Sequence, residues 1–147
     1  MFKPDNIPQL SLYLTVGDTE KSIAFYEDAF GFVLEKISRN EKGTVEHVSM
    51  RKQEVYLMFS PEGVYGSSNK TPKISGISPS SMFYVYCEDP DEIYGKAIKY
   101  GGESVMIPED SFWGDRFCSV RDLDGYEWGF ARVISMIKME QVKCLFS

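Results

Sequence analysis

The sequence predicts an α+β domain built from two tandem βαβββ modules, each with a curved sheet that leaves one side open. Short alternating segments and one helical segment occur twice in the same order, on either side of a stretch at 62–80 that is rich in Gly, Ser and Pro. The two copies also superpose at one constant offset of 71 residues, as three pairs illustrate: Asp18 with Asp89, Gly31 with Gly102, and Phe59 with Phe130. We interpret this register as an internal duplication of one structural unit.

Module one is predicted over 9–61. Its first strand is SLYLTV at 11–16, where apolar and polar residues alternate as in a half-buried strand. Asp18 then supplies an N-cap for a helix whose apolar residues recur at helical spacing and which ends at Gly31. The segments FVLEKI, TVEHVSMR and EVYLMFS follow as three further strands, separated by turn residues.

Module two is predicted over 81–133 and repeats that order. SMFYVYCE alternates as a strand, and a helix follows with Asp89 as N-cap and Pro90 at its first position. The segments ESVMI, RFCSV and YEWGFAR complete the module as strands. The remaining residues, 134–147, form a C-terminal extension whose apolar residues indicate docking on the domain or on a partner subunit. All of 1–147 is thus predicted to be a single domain.

The composition and charge of the chain argue against nucleic acid and membranes as partners. The chain has 147 residues, 43% of them hydrophobic and 26% charged, with a net charge of −6, so no basic surface is expected to bind nucleic acid. Aromatic residues reach 14%, which favours an aromatic core or an aromatic-lined pocket. The three cysteines are widely spaced and odd in number, and no apolar run approaches the ~18 residues that span a bilayer. We therefore expect a soluble cytoplasmic protein that binds no membrane and has no signal peptide.

Two segments resemble the vicinal oxygen chelate superfamily, which includes glyoxalase I, bleomycin resistance proteins and extradiol dioxygenases. They are LTVGDTEKSIAFYEDAFGF in module one and WGDRFCSVRDLDGYEWGFAR in module two. The resemblance covers about residues 9–133. It implies that the paired βαβββ modules form a half-open curved sheet or barrel. It also implies a homodimer and a ligand cup lined by the sheets, within one chain or between subunits. Because this fold carries many chemistries, the site residues decide the function.

In metal-dependent members of that superfamily, four strand positions carry His, Glu or Gln that point into the cup. The resemblance and the 71-residue register place these positions at Ser11, Met58, Met82 and Gly129. Thioether sulfur is too soft a ligand for most divalent ions, and glycine offers no ligand atom. We therefore predict no metal and no cofactor. If the alignment of the last strand is shifted by two residues, Glu127 takes the ligand position instead of Gly129. A metal site remains possible only with that shift.

Alternation also predicts which side chains face the cup. The predicted cup face is rich in tyrosine and methionine, which suits a partly apolar ligand that is cationic or neutral. Trp113 lies in a Gly-containing loop that is expected to fold over the rim. The predicted ligand-binding residues are Ser11, Tyr13, His47, Tyr56, Met58, Met82, Tyr84, Tyr86, Trp113, Arg116, Glu127 and Gly129. The opposite face is predicted to pack against the helices.

Three functions remain open from the sequence. The favoured one is a metal-independent protein that captures a small molecule, as drug-sequestering and antibiotic-resistance members of the superfamily do. The alternative is a lyase, isomerase or dioxygenase with displaced metal ligands, or a metal-free enzyme that uses His47 or Glu127 as acid or base. A third is an interaction protein whose cup is vestigial.

Several single residues have a structural and a functional interpretation. His47, the only histidine, is either a solvated strand residue or a ligand contact, and the 71-residue register pairs it with Cys118. Cys118 is expected to be a small buried residue rather than a nucleophile. Arg116 is expected to pair with an aspartate at 115, 122 or 124, or with an anionic ligand. Asp122 and Asp124 are expected to shape the last turn through hydrogen bonds to its backbone.

Overall fold

Two four-stranded mixed sheets form the computed structural model of the chain, which describes residues 1–135. The elements in chain order are β1 Leu12–Val16, α1 Thr19–Asp28, β2 Val33–Arg39, β3 Val45–Lys52, β4 Val55–Pro61, α2 Pro72–Ser75, β5 Phe83–Tyr86, α3 Pro90–Lys99, β6 Glu103–Asp110, β7 Asp115–Arg121 and β8 Glu127–Val133. The strand order is β1-β4-β3-β2 in the first sheet and β5-β8-β7-β6 in the second. In both sheets the first and last strands of the module are parallel and the other pairs antiparallel. The predicted α+β fold with two βαβββ modules is confirmed.

The helices begin where the sequence predicts. Asp18 accepts a hydrogen bond from the backbone N–H of Lys21 at 3.0 Å, and Asp89 accepts one from Glu92 at 3.1 Å. These carboxylates each satisfy a backbone donor that has no partner within its helix. Because α1 and α3 each contain ten residues, the 71-residue register holds throughout both helices.

The register is not constant across the whole module. The first and last strands keep the offset of 71, because Tyr13 pairs with Met58 and Tyr84 pairs with Gly129. In the third strand, however, Val48 is opposite Phe59, whereas Cys118 is opposite Phe130, so the offset there is 70. The connection from α3 to β6 is one residue shorter than its counterpart. The chain between the third and last strands is one residue longer, because Phe59 follows its partner Val48 by 11 positions whereas Phe130 follows Cys118 by 12. The predicted pairing of His47 with Cys118 is therefore wrong, and His47 corresponds to Phe117.

The core is shared between the modules. Helix α1 and the residues just after it pack on their own sheet and also on the second one. Between ring centroids, Phe30 lies 4.8 Å from Phe130 and Tyr26 lies 5.7 Å from Trp128. Trp128 is fully buried among these rings. The residues predicted to face the helices all belong to this core or pack against its edge: Leu12, Leu14, Val55, Leu57, Phe59, Phe83, Val85, Trp128 and Phe130.

Asp122 joins the modules at the turn before β8. Its carboxylate accepts hydrogen bonds from the Tyr26 hydroxyl at 2.6 Å and the Trp128 indole N–H at 2.9 Å. It also accepts the backbone N–H groups of Asp124 and Tyr126, so its predicted role in shaping the turn is confirmed. Burial raises the pKa of Asp122 to about 6, although these four donors act in the opposite direction.

The stretch at 62–80 contains more regular structure than a simple linker. It holds a short 3₁₀ turn, Val64–Gly66, and helix α2, which Thr71 caps from a fully buried position. Within residues 1–135 no helix is both long enough and apolar enough to cross a bilayer. Most of the C-terminal extension, 136–147, lies outside the described residues, so its predicted docking stays a prediction.

Candidate functional site

The two sheets each turn one face away from the shared core, as alternation predicts. Along β1, Tyr13 is 52% exposed while Leu14 is buried, and along β5, Tyr86 is 61% exposed while Val85 is buried. We call these the outward faces. The predicted site residues divide between them: Tyr13, His47 and Met58 on the first sheet, and Tyr84, Tyr86 and Gly129 on the second.

Aromatic rings cluster on the outward face of the second sheet. Tyr84 stacks on Phe117 with ring centroids 5.2 Å apart and an angle of 12°, and Tyr86 meets Tyr84 edge to face at 5.6 Å. Trp113 comes from the loop before β7 and lies 5.9 Å from Phe117. Its indole N–H donates to the Tyr84 hydroxyl at 3.0 Å, which fixes this loop against the sheet. We call Tyr84, Tyr86, Trp113, Phe117 and the carboxylate beneath them, Asp115, the aromatic site.

Asp115 is the charged centre of the aromatic site. Its side chain is almost fully buried and accepts hydrogen bonds from the hydroxyls of Tyr84 at 2.6 Å and Tyr86 at 2.8 Å. Ser111 holds its backbone, because the Ser111 hydroxyl donates to the Asp115 carbonyl at 2.6 Å. Burial and the bond to this carboxylate raise the pKa of Tyr84 to about 12, so Tyr84 stays a neutral donor at physiological pH.

Gly129 lies under the aromatic site and has no room for a side chain. A Cβ atom there would be 2.7 Å from Cε2 of Phe117 and 2.8 Å from Sδ of Met82. The space in which metal-dependent relatives are expected to place a carboxylate is thus filled by a phenyl ring and a thioether.

The outward face of the first sheet holds a polar cluster formed by Tyr13, His47, Ser49 and Ser60, which we call the histidine cluster. The Tyr13 hydroxyl is 2.5 Å from Oγ of Ser60 and 3.4 Å from Nδ1 of His47, while Nε2 of His47 is 2.9 Å from Oγ of Ser49. Partial burial, together with nearby Lys36, lowers the pKa of His47, which favours the neutral imidazole.

Other predicted residues lie apart from these clusters. Arg116 is on the helix side of β7, where it contacts Asp91 at 3.2 Å and Asp110 at 3.1 Å. The expectation that it pairs with an aspartate at 115, 122 or 124 is therefore wrong. Tyr56 lies under the Arg51 guanidinium, 4.9 Å from ring centroid to Cζ.

Three further predicted residues lie at the borders of the outward faces. Ser11 is half-buried and precedes β1. Met82 is 38% exposed and precedes β5, with its sulfur close to Gly129. Glu127 is half-buried at the start of β8, where it lines a cleft of about 300 Å³ together with residues of the 70–81 loop.

Cys118 is buried against α3, and its thiol is 3.6 Å from the carbonyl oxygen of Pro90. Burial raises the pKa of this thiol to about 12, which disfavours the nucleophilic thiolate, as the sequence indicates.

The donor groups present do not suit a divalent ion. Of the four positions that the resemblance assigns to metal ligands, two are methionines, one is a serine and one is a glycine. Throughout residues 1–135, no three His, Cys, Asp or Glu side chains are grouped closely enough to hold a metal ion.

Sequence reasoning missed two members of the aromatic site. A constant offset of 71 does not align Phe117 with His47, its true counterpart in the third strand, and so does not place it on the cup face. Asp115 was considered only as a partner for its neighbour Arg116. Extending the predicted RFCSV strand back to Asp115 would have revealed both residues, because residues 115 and 117 then lie on the same face of the strand.

The two βαβββ modules, each with a four-stranded mixed sheet, form an α+β domain of the architecture that the sequence resemblance implies. The Glyoxalase/Bleomycin resistance protein/Dioxygenase superfamily model matches residues 7–130. The chain therefore belongs to that superfamily.

The relatives are distant in sequence. An uncharacterized protein of Mycobacterium bovis is 27% identical over 142 residues, covering 95% of this chain and 93% of the relative. Among solved structures, TioX from Micromonospora sp. ML1 is 24% identical with a TM-score of 0.67, covering 86% of this chain and 98% of TioX. The fosfomycin resistance protein FosX from Mesorhizobium loti is 12% identical with a TM-score of 0.63, covering 92% and 97% of the two chains. These structures share the fold.

Proposed function

We propose that the protein is a metal-independent binder of a small, partly apolar, cationic molecule, which it holds on the aromatic site. The observation that carries this proposal is the group of four rings around Asp115. Tyr84, Tyr86 and Trp113 are each 39% to 61% exposed, so their faces and edges are available to a ligand. Aromatic faces attract cations, and the buried carboxylate adds a negative charge at short range.

The opposite wall of the site is proposed to come from a second copy of the chain in a homodimer. Both outward faces of one chain carry exposed aromatic side chains, Tyr13 on the first sheet and Tyr86 on the second. Pairing of unlike faces across a two-fold axis would enclose two identical sites. Each site would combine an aromatic site from one copy with a histidine cluster from the other.

Two observations agree with a sequestration role in the cytoplasm. The fold is shared with proteins whose names include a resistance function, such as the fosfomycin resistance protein of Mesorhizobium loti. Cys87 and Cys118 are free thiols, which fits a reducing compartment.

The test uses three probes of similar size and different charge: N-methylquinolinium, quinoline and 2-naphthoate. Trp113 is partly exposed whereas Trp128 is fully buried, so quenching of tryptophan emission reports the aromatic site. We expect N-methylquinolinium to bind most tightly and to raise the melting temperature in proportion to the logarithm of its concentration. Protein treated with EDTA should bind equally well.

Matched variants identify the site. Trp113→Ala should weaken N-methylquinolinium binding at least tenfold, as read by calorimetry, and Asp115→Asn should remove the preference for the cation over quinoline. Tyr100→Ala serves as control, because Tyr100 is similarly exposed but lies at the end of α3. Equal affinity for all three probes, or binding that EDTA abolishes, would contradict the proposal.

The histidine cluster favours a second candidate, a metal-free enzyme in which His47 is the acid or base. A neutral imidazole held by Tyr13 and Ser49 is a competent proton acceptor. The two functions differ in whether a bound ligand is changed. Mass spectrometry of a ligand after prolonged incubation would show conversion by the wild type that His47→Gln or Glu127→Gln abolishes. An unaltered ligand supports the binding protein.

A further inference from the structure

In each module, the turn before the last strand faces the edge strand of the other module. At one of these two places, the first seam, the phenol of Tyr126 lies against the edge of β1. Its hydroxyl donates to the carbonyl of Thr15 at 2.8 Å and accepts the N–H of Thr15 at 3.2 Å. One side chain thus satisfies both backbone groups of Thr15, which β1 turns away from its sheet.

The internal duplication defines an equivalent place between the β3–β4 turn and the edge of β5, which we call the second seam. The 71-residue register holds on the first and last strands, so Val55 stands where Tyr126 stands and Tyr86 stands where Thr15 stands. Val55 packs on the edge of the core, as Tyr126 does, but it has neither a ring nor a hydroxyl. The second seam therefore lacks the group that closes the first.

The backbone of Tyr86 faces this second seam. The N–H of Cys87 donates to the carbonyl of Ala131 at 2.8 Å, which directs Cys87 and, two residues earlier, Val85 toward β8. In a parallel ladder the intervening residue directs its N–H and C=O to the opposite side. Among the side chains of residues 1–135, none donates to or accepts from these two groups of Tyr86.

The space beside them is open. A cleft of about 520 Å³ separates the β3–β4 turn from the edge of β5, and its lining is Lys52, Gln53, Glu54, Val55, Tyr84, Val85 and Tyr86. The ammonium group of Lys52 is held elsewhere, because it donates to the carbonyl of Phe30 at 2.7 Å. The cleft has the size of a small-molecule site and combines apolar walls with one backbone donor and one acceptor.

We propose that this cleft is a second ligand site, which binds a small molecule with a hydroxyl group on an aromatic ring. The ring takes the place that the Tyr126 ring has at the first seam, and the hydroxyl bonds to the N–H and C=O of Tyr86. The site does not depend on the proposed function, since it uses the backbone of Tyr86 whereas the aromatic site uses the ring.

The probe is p-cresol, which is the side chain of tyrosine as a free molecule, and its matched control is toluene, which lacks the hydroxyl. In a two-dimensional ¹⁵N NMR titration of the full chain, we expect p-cresol to shift the amide signals of Val55 and Tyr86 at concentrations at least fivefold below toluene. Equal effects of the two probes, or no shift at these amides, would overturn the proposal without any variant.

Variants separate this site from its neighbours. Val55→Tyr should fill the cleft and abolish the p-cresol shifts at Tyr86, whereas Trp113→Ala should leave them unchanged. Val55→Phe fills the same volume without a hydroxyl, and it should also exclude p-cresol. Persistence of the Tyr86 shifts in a folded Val55→Tyr protein would refute the assignment, and loss of the shifts in Trp113→Ala would place p-cresol on the aromatic site instead.

Discussion

Gly129→Ala adds a single methyl group at the position where the structure leaves least room for one. The new Cβ atom would lie 2.7 Å from Cε2 of Phe117, well inside the separation at which carbon atoms normally pack. Met82 can give way, because its sulfur is at the end of a flexible and partly exposed side chain. Phe117 cannot do so easily, since it is buried and stacks on Tyr84.

The expected cost follows from these contacts. Forcing an extra methyl group into a packed site costs about 1–3 kcal/mol, and replacing glycine within a regular element returns about 0.5–1 kcal/mol. The difference spans about 0–2.5 kcal/mol. Because the buried Phe117 ring cannot move away easily, we expect a net loss in the upper part of this range, about 1–2 kcal/mol, in the free energy of unfolding. For a chain of this size, that loss lowers the melting temperature by about 2–8 °C.

Urea unfolding followed by tryptophan fluorescence measures the loss. Gly95→Ala is the matched control: Gly95 lies at an exposed position of α3, and its added Cβ would meet no atom within 4 Å. That substitution should stabilise the protein by up to about 1 kcal/mol. The double variant Gly129→Ala/Phe117→Leu should lose less stability than the two single losses combined. A Gly129→Ala protein as stable as wild type would refute the packing argument.

Two further predictions concern the contacts between modules. Because burial raises the folded-state pKa of Asp122 to about 6, above its ordinary 3.8, its contribution to stability is complete below about pH 4 and is lost as the pH rises through 6. In urea titrations, the stability advantage of wild type over Asp122→Asn should shrink by about 2–3 kcal/mol between pH 4 and pH 7; a constant difference would contradict the assignment. Tyr126→Phe leaves both backbone groups of Thr15 unpaired and should cost about 1–3 kcal/mol by the same measurement. Tyr94→Phe, which loses only an exposed bond to Ser104, should cost much less, and equal losses would argue against the closed first seam.

Much of the fold is predictable because its determinants are local. The N-caps Asp18 and Asp89 mark the helix starts, and the alternation of β1 and β5 separates the exposed tyrosines from the buried aliphatic residues. The same alternation correctly predicts that Gly129 faces away from the core with Tyr84.

The register of the third strand was not predictable in this way. One residue is lost before β6 and one is gained between paired positions of the last two strands, so the first strand, the helix and the last strand all agree with a constant offset. A shift of one residue exchanges the two faces of a strand, so a constant offset assigns Phe117 to the wrong face. The role of Asp115 is not predictable for another reason. It depends on hydrogen bonds from Tyr84 and Tyr86, which are about 30 residues away in sequence.

The shared core also bears on how the duplicated halves fold. Trp128 belongs to the second module, yet Tyr26 and Phe30 of the first module cover it. A fragment containing only the second module would expose this indole, together with the Asp122 carboxylate that Tyr26 also contacts. The two repeats have thus lost the independence of tandem units, and the chain should unfold in one cooperative transition rather than module by module.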